Sequence, residues 1–104
     1  MSAYIIFNYK ILDRIKIEEI RGLISPILEK YETEVIVASP VKTIEGETYP
    51  NMVIHKFKSI EDAEHFYYSK EHQKIVEFRK SITEGWATIV SGYLEEEIQN
   101  ENPS

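Results

Sequence analysis

Two apolar runs separated by turn-forming residues make up residues 34–57, EVIVASPVKTIEGETYPNMVIHKF. Residues 34–38 and 52–57 are rich in β-branched and apolar side chains, which predicts two strands. Residues 45–51 lie between them and contain Gly46 and Pro50. This composition is typical of a turn, because Gly tolerates positive φ and Pro fixes φ. The segment therefore predicts a strand, a long turn and a second strand.

Proline interrupts two of the predicted elements. Ser39-Pro40 breaks the first of these strands, which we expect to resume over residues 41–44 beyond a bulge. Pro26 lies within an earlier amphipathic helix, whose apolar stripe recurs at spacings of three and four from Ile17 to Tyr31. Because the stripe continues past Pro26, we expect one kinked but continuous helix.

The remaining elements lie on either side. Residues 4–11 are β-branched and aromatic and predict a first strand. Ser59, followed three residues later by an acidic residue, predicts a helix start. Ser69 predicts a second start, so this region contains two short helices or one bent helix. We expect Gly85 to end it and residues 86–94 to form the last strand.

The resulting order, β-α-β-β-α-β, is that of the ferredoxin-like fold, an α+β architecture. It has a four-stranded antiparallel sheet with both helical regions on one face. Consecutive apolar residues occur in three strands, at 5–7, 35–37 and 52–54. Since neighbouring strand residues point to opposite faces, both faces of the sheet are apolar and the helices cover only one. We therefore expect a homodimer in which the second copy covers the other sheet face.

Length and charge limit the classes of function. The chain has 104 residues, enough for one domain, which we place at residues 1–94. Residues 95–104 contain four Glu and no Lys or Arg, and we expect a flexible acidic tail, with an interaction tail as the alternative. The net charge of −6 argues against nucleic acid as a partner. No apolar run approaches the roughly 20 residues of a membrane span, so no membrane partner is expected.

Neither a cofactor nor a metal is predicted. The chain has no cysteine, which excludes thiolate ligands and favours a cytoplasmic location. Its glycines do not form a nucleotide-binding loop. His65 and His72 are seven residues apart, about 10 Å along a helix, which is too far for both to bind one metal.

His55 is the strongest candidate for chemistry that the residues themselves suggest. It lies in an apolar strand and shares a face with Val53 and Phe57. A buried histidine that titrates near neutrality can act as a general base. The alternative is a hydrogen-bonded histidine of the core or the dimer interface.

The middle of the chain resembles a known family. Three stretches resemble the family called domain of unknown function 1330. The first runs from Glu45-Gly46 through Tyr49-Pro50 to the strand ending in Phe57. The others are the helix start at residues 59–63 and residues 66–73 with the following Phe78-Arg79. The likeness follows residues 4–93 in order and spacing and is distinctive over 44–80. The chain departs from the family pattern at His55, Lys70 and His72.

The resemblance implies a dimeric α/β barrel, and relatives in that superfamily include cofactor-free monooxygenases and small isomerases. Glu45, Tyr67 and Arg79 match marked positions of the family. The resemblance implies that these residues line a pocket for a small carboxylate or phenol. Arg79 and Glu45 would bind the substrate there, and His55 or Tyr67 would move protons. The alternative is structural: Glu45 pairs with Arg79, and Tyr67 is a core aromatic. The expected function is thus small-molecule binding between sheet and helices, with cofactor-free proton-transfer or oxygenase-like chemistry, or else a non-catalytic dimerising module.

Overall fold

The computed structural model describes residues 1–93, and the predicted acidic tail at 95–104 lies outside the described residues. Four strands and three helices follow one another along the chain. They are β1 (Ala3–Ile11), α1 (Arg14–Lys30), β2 (Glu34–Pro40), β3 (Asn51–Phe57), α2 (Ile60–Tyr67), α3 (Lys70–Ile82) and β4 (Thr83–Ser91).

The strands form one antiparallel sheet in the order β2-β3-β1-β4. The second helical region consists of two helices, α2 and α3, with only two residues between them. The α+β architecture predicted from the sequence, with its ferredoxin-like order of elements, is confirmed.

Side chains that cap the helices explain where each helix begins. The carboxylate of Asp13 accepts hydrogen bonds from the backbone N–H groups of Ile15 and Lys16 and starts α1. The hydroxyls of Ser59 and Ser69 accept backbone N–H groups three residues on and start α2 and α3, as the sequence predicts. α1 continues through Pro26 as one helix to Lys30.

The helices pack on one face of the sheet, which we call the helix face. On β1 this face carries Ala3, Ile5 and Phe7, which form a core cluster with Ala63 and Phe66 of α2. The opposite side, which we call the open face, carries the alternate residues. Ile6, Ile54 and Val37 lie side by side on it across β1, β3 and β2. The sheet therefore has apolar side chains on both faces, as the strand sequences predict.

Two predictions about β2 and its connection to β3 are wrong. β2 runs through Ser39 and ends at Pro40 rather than resuming over 41–44, and its bulge lies earlier, between Val35 and Val37. After Pro40 the chain leaves the sheet, with one backbone hydrogen bond of 2.8 Å from Val41 N to Pro50 O closing the base of the loop. This loop, residues 41–50, is held by Asn8 on β1, whose amide bonds to the backbone of Tyr49 and Asn51.

Gly85 does not end a helix. α3 ends at Ile82, and β4 begins at once because it pairs with β1 as far as Thr83 opposite Ile11. Gly85 lies within β4 opposite Tyr9, where an added Cβ would be 2.7 Å from the Tyr9 Cα. Glycine is needed here for the close approach of two backbones rather than for helix termination.

Within residues 1–93, no helix has both the length and the apolar composition needed to cross a membrane.

Candidate functional site

A cavity of about 210 Å³ lies between the helix face of the sheet and the helices α1 and α3. Most of its wall is apolar and comes from β1, β2, β3, α1 and α3. Six polar side chains also line it: Tyr9, Arg21, His55, His72, Arg79 and Thr83. An apolar enclosure with a few convergent polar groups is the usual form of a small-molecule site.

Arg79 carries a positive charge that the described chain does not neutralise. Its guanidinium carbon lies 5.1 Å from the centre of the Phe7 ring, an arrangement that allows a cation–π contact. Its Nε is buried without a hydrogen-bond partner, and none of the ion pairs among residues 1–93 involves Arg79. Because an unsatisfied buried donor is costly, this group is suited to binding an anion.

Tyr9 and Arg21 add to this positive region of the cavity. Burial raises the pKa of the Tyr9 phenol, while the positive charges of Arg21 and Arg79 oppose that rise. The phenol is therefore protonated at neutral pH and can donate a hydrogen bond. Arg21 is exposed and also pairs with Glu18 at 2.6 Å, so it lies at the solvent side of the cavity.

His55 lies in the middle of β3 among aromatic rings and is only 7% exposed. Its ring centre is 5.2 Å from that of Phe7 and 5.8 Å from that of Phe66. Nδ1 is buried and has no hydrogen-bond partner within residues 1–93. Burial, with smaller contributions from His72 and Arg79, lowers the pKa of His55 to about 4. The imidazole is therefore neutral at pH 7.

His72, in the first turn of α3, is 2% exposed and packs against Phe66 with ring centres 4.5 Å apart. Its Nδ1 lies 2.8 Å from the backbone carbonyl oxygen of Tyr67. Since a carbonyl only accepts, Nδ1 must carry the proton, and in the neutral ring Nε2 is then an acceptor. Burial lowers the pKa of His72, the hydrogen bond to Tyr67 opposes that change, and Arg79 adds to the lowering.

The structure brings together two of the four residues that the sequence singled out. His55 from β3 and Arg79 from α3 line the same cavity. Tyr67 does not line it, and its ring packs instead against Tyr68 and His72, at 5.1 and 5.0 Å. Its contribution is its backbone carbonyl, which accepts from His72 and, at 2.7 Å, from Gln73.

Glu45 lies away from the cavity, on the loop between β2 and β3, and its side chain is exposed. It forms no ion pair with Arg79 among the residues described. Glu45 therefore lies neither in the cavity, as a substrate-binding role would require, nor in an ion pair with Arg79, as the structural alternative would require.

Sequence reasoning missed four polar lining residues: Tyr9, Arg21, His72 and Thr83. Tyr9 could have been found from strand alternation, because it shares the helix face with Phe7. His72 could have been found from helix periodicity, because it lies seven residues before Arg79 and therefore on the same side of α3. Arg21 follows Ile17 by one turn on α1, a signal too general to single it out.

No group of three or more histidine, aspartate and glutamate side chains in residues 1–93 is arranged to hold a metal ion.

Solved structures similar to this one share its fold at low sequence identity. A protein of unknown function from Rhodopseudomonas palustris has a TM-score of 0.72 and 9% identity, over 88% of this chain and 82% of that one. A dimeric ferredoxin-like protein of unknown function from Jannaschia sp. CCS1 has a TM-score of 0.66 and 16% identity, over 89% and 99%. A variant of SnoaB, a cofactor-independent oxygenase from Streptomyces nogalater, has a TM-score of 0.65 and 2% identity, over 88% and 92%.

No curated protein matches the chain in sequence. A family model does match, over residues 2–93, and this confirms the resemblance found in the central segment. The match spans every strand and helix described above. The chain belongs to the family described as Domain of unknown function (DUF1330).

Proposed function

We propose that this protein binds a small organic acid with a single ring in the cavity between the sheet and helices α1 and α3. The observation that carries the proposal is the buried Nε of Arg79, a cationic donor without a hydrogen-bond partner in residues 1–93, in a mostly apolar wall. A carboxylate or phenolate would supply the missing acceptor and neutralise the charge. The phenol of Tyr9 offers a second donor beside it.

The size of the cavity supports a ligand with one ring. An engineered apolar cavity of about 150 Å³ in another protein accepts benzene. The cavity here, about 210 Å³, leaves room for the same ring with one or two substituents. Its apolar wall favours the ring, and its cationic side favours the acidic group.

The chemistry that the site supports best is proton transfer without a cofactor. Burial keeps both imidazoles neutral, and His72 is the better proton acceptor for a bound ligand, because a pKa of about 4 makes His55 a weak base rather than one that titrates near neutrality. In that step the O–H or C–H bond of the ligand breaks, an N–H bond forms on the imidazole, and the negative charge remains near Arg79. Chemistry without a cofactor is also what the description of the similar protein SnoaB, a cofactor-independent oxygenase, states for that protein.

The second candidate is a binding module without catalysis. It is favoured by the position of His55, whose ring is enclosed by Phe7, Phe57 and Phe66 as a core residue would be. Incubation with phenylpyruvate in D2O separates the two functions. Deuterium incorporation at the acidic carbon above the rate in buffer indicates proton transfer, whereas unchanged ligand at saturating concentration indicates a module.

Binding itself is tested by calorimetric titration with benzoate at pH 7.5. We expect saturable binding to the wild type, weakened at least tenfold in Arg79→Ala, because a charge-assisted hydrogen bond contributes about 1.5–3 kcal/mol. Lys80→Ala is the matched control, since Lys80 is the next residue on α3, is exposed and does not line the cavity. The proposal fails if benzoate and other monocyclic acids do not bind, or if Arg79→Ala binds as tightly as Lys80→Ala.

We propose the homodimer as the assembly in which this site works. Ile6, Ile54 and Val37 form an apolar centre on the open face, on the side of the sheet opposite the cavity. The similar protein from Jannaschia is described as dimeric and ferredoxin-like. A second copy stacked on the open face would cover this centre and leave both cavities accessible.

A further inference from the structure

We infer that the cavity selects ligands that carry two negative charges at one end, and that Arg21 is the residue that recognises the second charge. The inference rests on the proposed function and narrows it to a substrate class, aryl phosphate monoesters and ring compounds with two neighbouring carboxylates. The charge of the cavity wall and the placement of its two arginines carry it.

The wall of the cavity has an excess of positive charge. Two of its residues are arginines, and none of the described residues that line it is Asp, Glu or Lys. Burial keeps the two histidines of the wall neutral, because it lowers the pKa of each. A single carboxylate would therefore neutralise only one of the two cationic groups, whereas a dianion matches both.

Arg79 lies along the part of β1 that contains Tyr9. Its backbone carbonyl accepts a hydrogen bond of 2.8 Å from the hydroxyl of Thr83, which is paired with Ile11 of β1. Its guanidinium carbon is 5.1 Å from the ring centre of Phe7. Tyr9 lies between Ile11 and Phe7 on the same face of β1. The side chain of Arg79 therefore extends beside Tyr9 on the helix face.

Arg21 reaches the same end of the cavity from α1. Ile20, the residue before it, packs in one cluster with Ile11 of β1, and both α1 residues line the cavity. Burial raises the pKa of the Tyr9 phenol, and the positive charges of Arg21 and Arg79 oppose that rise, so both arginines lie near this phenol. We call this part of the cavity, formed by Tyr9, Arg21 and Arg79, the arginine end.

Arg21 is available to a ligand because its ion pair is a weak one. Its partner at 2.6 Å, Glu18, is three residues earlier on α1, and the two side chains are 63% and 62% exposed. Exposed pairs of this kind contribute little to stability, since water screens them. Glu18 itself does not line the cavity. A second negative charge on the ligand can therefore replace Glu18 as the partner of Arg21.

The test uses phenyl phosphate and phenyl sulfate, which have the same shape and differ in charge. At pH 7.5 the phosphate monoester carries close to two negative charges, whereas the sulfate carries one. We expect calorimetric titration to show that phenyl phosphate binds about fivefold more tightly or better, the upper range of a partly exposed ion pair. Phthalate and benzoate form a second pair. The pair in which the dianion is preferred shows whether the two charges belong on one phosphate or on neighbouring carboxylates.

Substitutions at Arg21 and Glu18 test which residue recognises the second charge. In Arg21→Gln both ligands of a pair should bind more weakly, and the ratio of their affinities should fall to about twofold or less. In Glu18→Gln the ratio should rise, because no carboxylate then competes for Arg21. Both positions are exposed, so neither substitution alters packing. Arg14→Gln is the matched control and should keep the wild-type ratio, since Arg14 is an exposed arginine of α1 that does not line the cavity.

The outcomes separate this inference from the proposed function. If benzoate binds in an Arg79-dependent manner but neither dianion is preferred, or if the preference is kept in Arg21→Gln, the inference is wrong and the proposed function stands. If none of the four ligands binds, the proposed function fails as well.

Discussion

The imidazole of His55 is uncharged in the folded chain because burial among aromatic rings lowers its pKa from 6.5 to about 4. In the unfolded chain the same group takes up a proton below pH 6.5. The unfolded state therefore binds more protons between pH 6.5 and 4, so the stability contributed by the neutral histidine is present above pH 6.5 and is lost as the pH falls toward 4.

We predict that this one residue accounts for a loss of about 2–3 kcal/mol in the free energy of unfolding between pH 7.5 and pH 4.5. Urea denaturation of the wild type and His55→Phe at both pH values measures it, and the variant should lose correspondingly less. His65→Ala, at an exposed position, serves as the control and should follow the wild type. Equal acid sensitivity of wild type and His55→Phe would show that His55 is not buried in its neutral form.

At the scale of single elements, the loop at residues 41–50 depends on a residue of another strand. Asn8 is fully buried, and its Nδ2 donates to the carbonyls of Tyr49 and Asn51 at 3.0 and 2.8 Å. Its Oδ1 accepts the backbone N–H of Tyr49 at 3.0 Å. The side chain thereby satisfies three backbone groups at the end of a loop that has no regular secondary structure.

We predict that Asn8→Ala lowers the free energy of unfolding by about 2–3 kcal/mol, because backbone groups are left without partners. Hydrogen exchange should show faster exchange of the Tyr49 amide in the variant, while amides of α3 away from the loop change only in line with the global loss. Thr48→Ala is the control, since the Thr48 hydroxyl is exposed and contacts Thr43 within the same loop. If the Tyr49 amide remains as protected as in the wild type, Asn8 does not hold the loop.

Helix α1 contains a destabilising residue of its own. Pro26 is exposed and lies four residues before α1 ends at Lys30, so the helix lacks one hydrogen bond, to the carbonyl of Gly22. We predict that Pro26→Ala raises the free energy of unfolding by about 1–3 kcal/mol, measured by urea denaturation. Ser25→Ala, at the neighbouring exposed position, should change it by well under 1 kcal/mol. A destabilised Pro26→Ala would mean that the proline makes a contact that the helix needs.

At the scale of the whole molecule, the open face of the sheet decides the assembly. Ile54 lies at its centre, directly paired with Ile6 on β1 and Val37 on β2. A charged side chain there would be buried without a partner if a second copy stacks on this face. Leu23 is a suitable comparison, since it is an apolar residue of α1 that is 51% exposed and lies off the sheet.

We predict that the wild type is a dimer by native mass spectrometry at micromolar concentration and that Ile54→Lys is a folded monomer. Leu23→Lys should remain a dimer. Amide spectra of both variants establish that they are folded. If the wild type is a monomer, or if Ile54→Lys is still a dimer, the open face is not the interface.

The cavity is a property of the whole molecule rather than of one element, and its polar groups come from five of them. Tyr9 is on β1, Arg21 on α1, His55 on β3, His72 and Arg79 on α3, and Thr83 on β4. Their convergence depends on the angle and depth at which α1 and α3 pack on the sheet. Short-range sequence patterns do not contain that information.

The order of elements, the helix starts at Ser59 and Ser69, and the apolar character of both sheet faces could be predicted from the sequence alone. These features depend on capping groups, on periodicities of 2 and 3.6 residues, and on contacts between residues near one another in the chain. The same alternation places His55 on one face with Val53 and Phe57, but only the packing of the helices decides that this is the helix face. The family likewise was identifiable from residues 44–80, where the distinctive side chains are concentrated.

Only the tertiary structure decided where β4 begins and which side chains share the cavity. Pairing with β1 overrides the usual role of Gly85, because the hydrogen bonds of a strand outweigh the local preference of one residue. The structure likewise places His72 beside His55 and Arg79 and leaves Tyr67 and Glu45 outside. Side chains converge on a site through the packing of distant elements, whereas sequence patterns report only what each element presents along its own length.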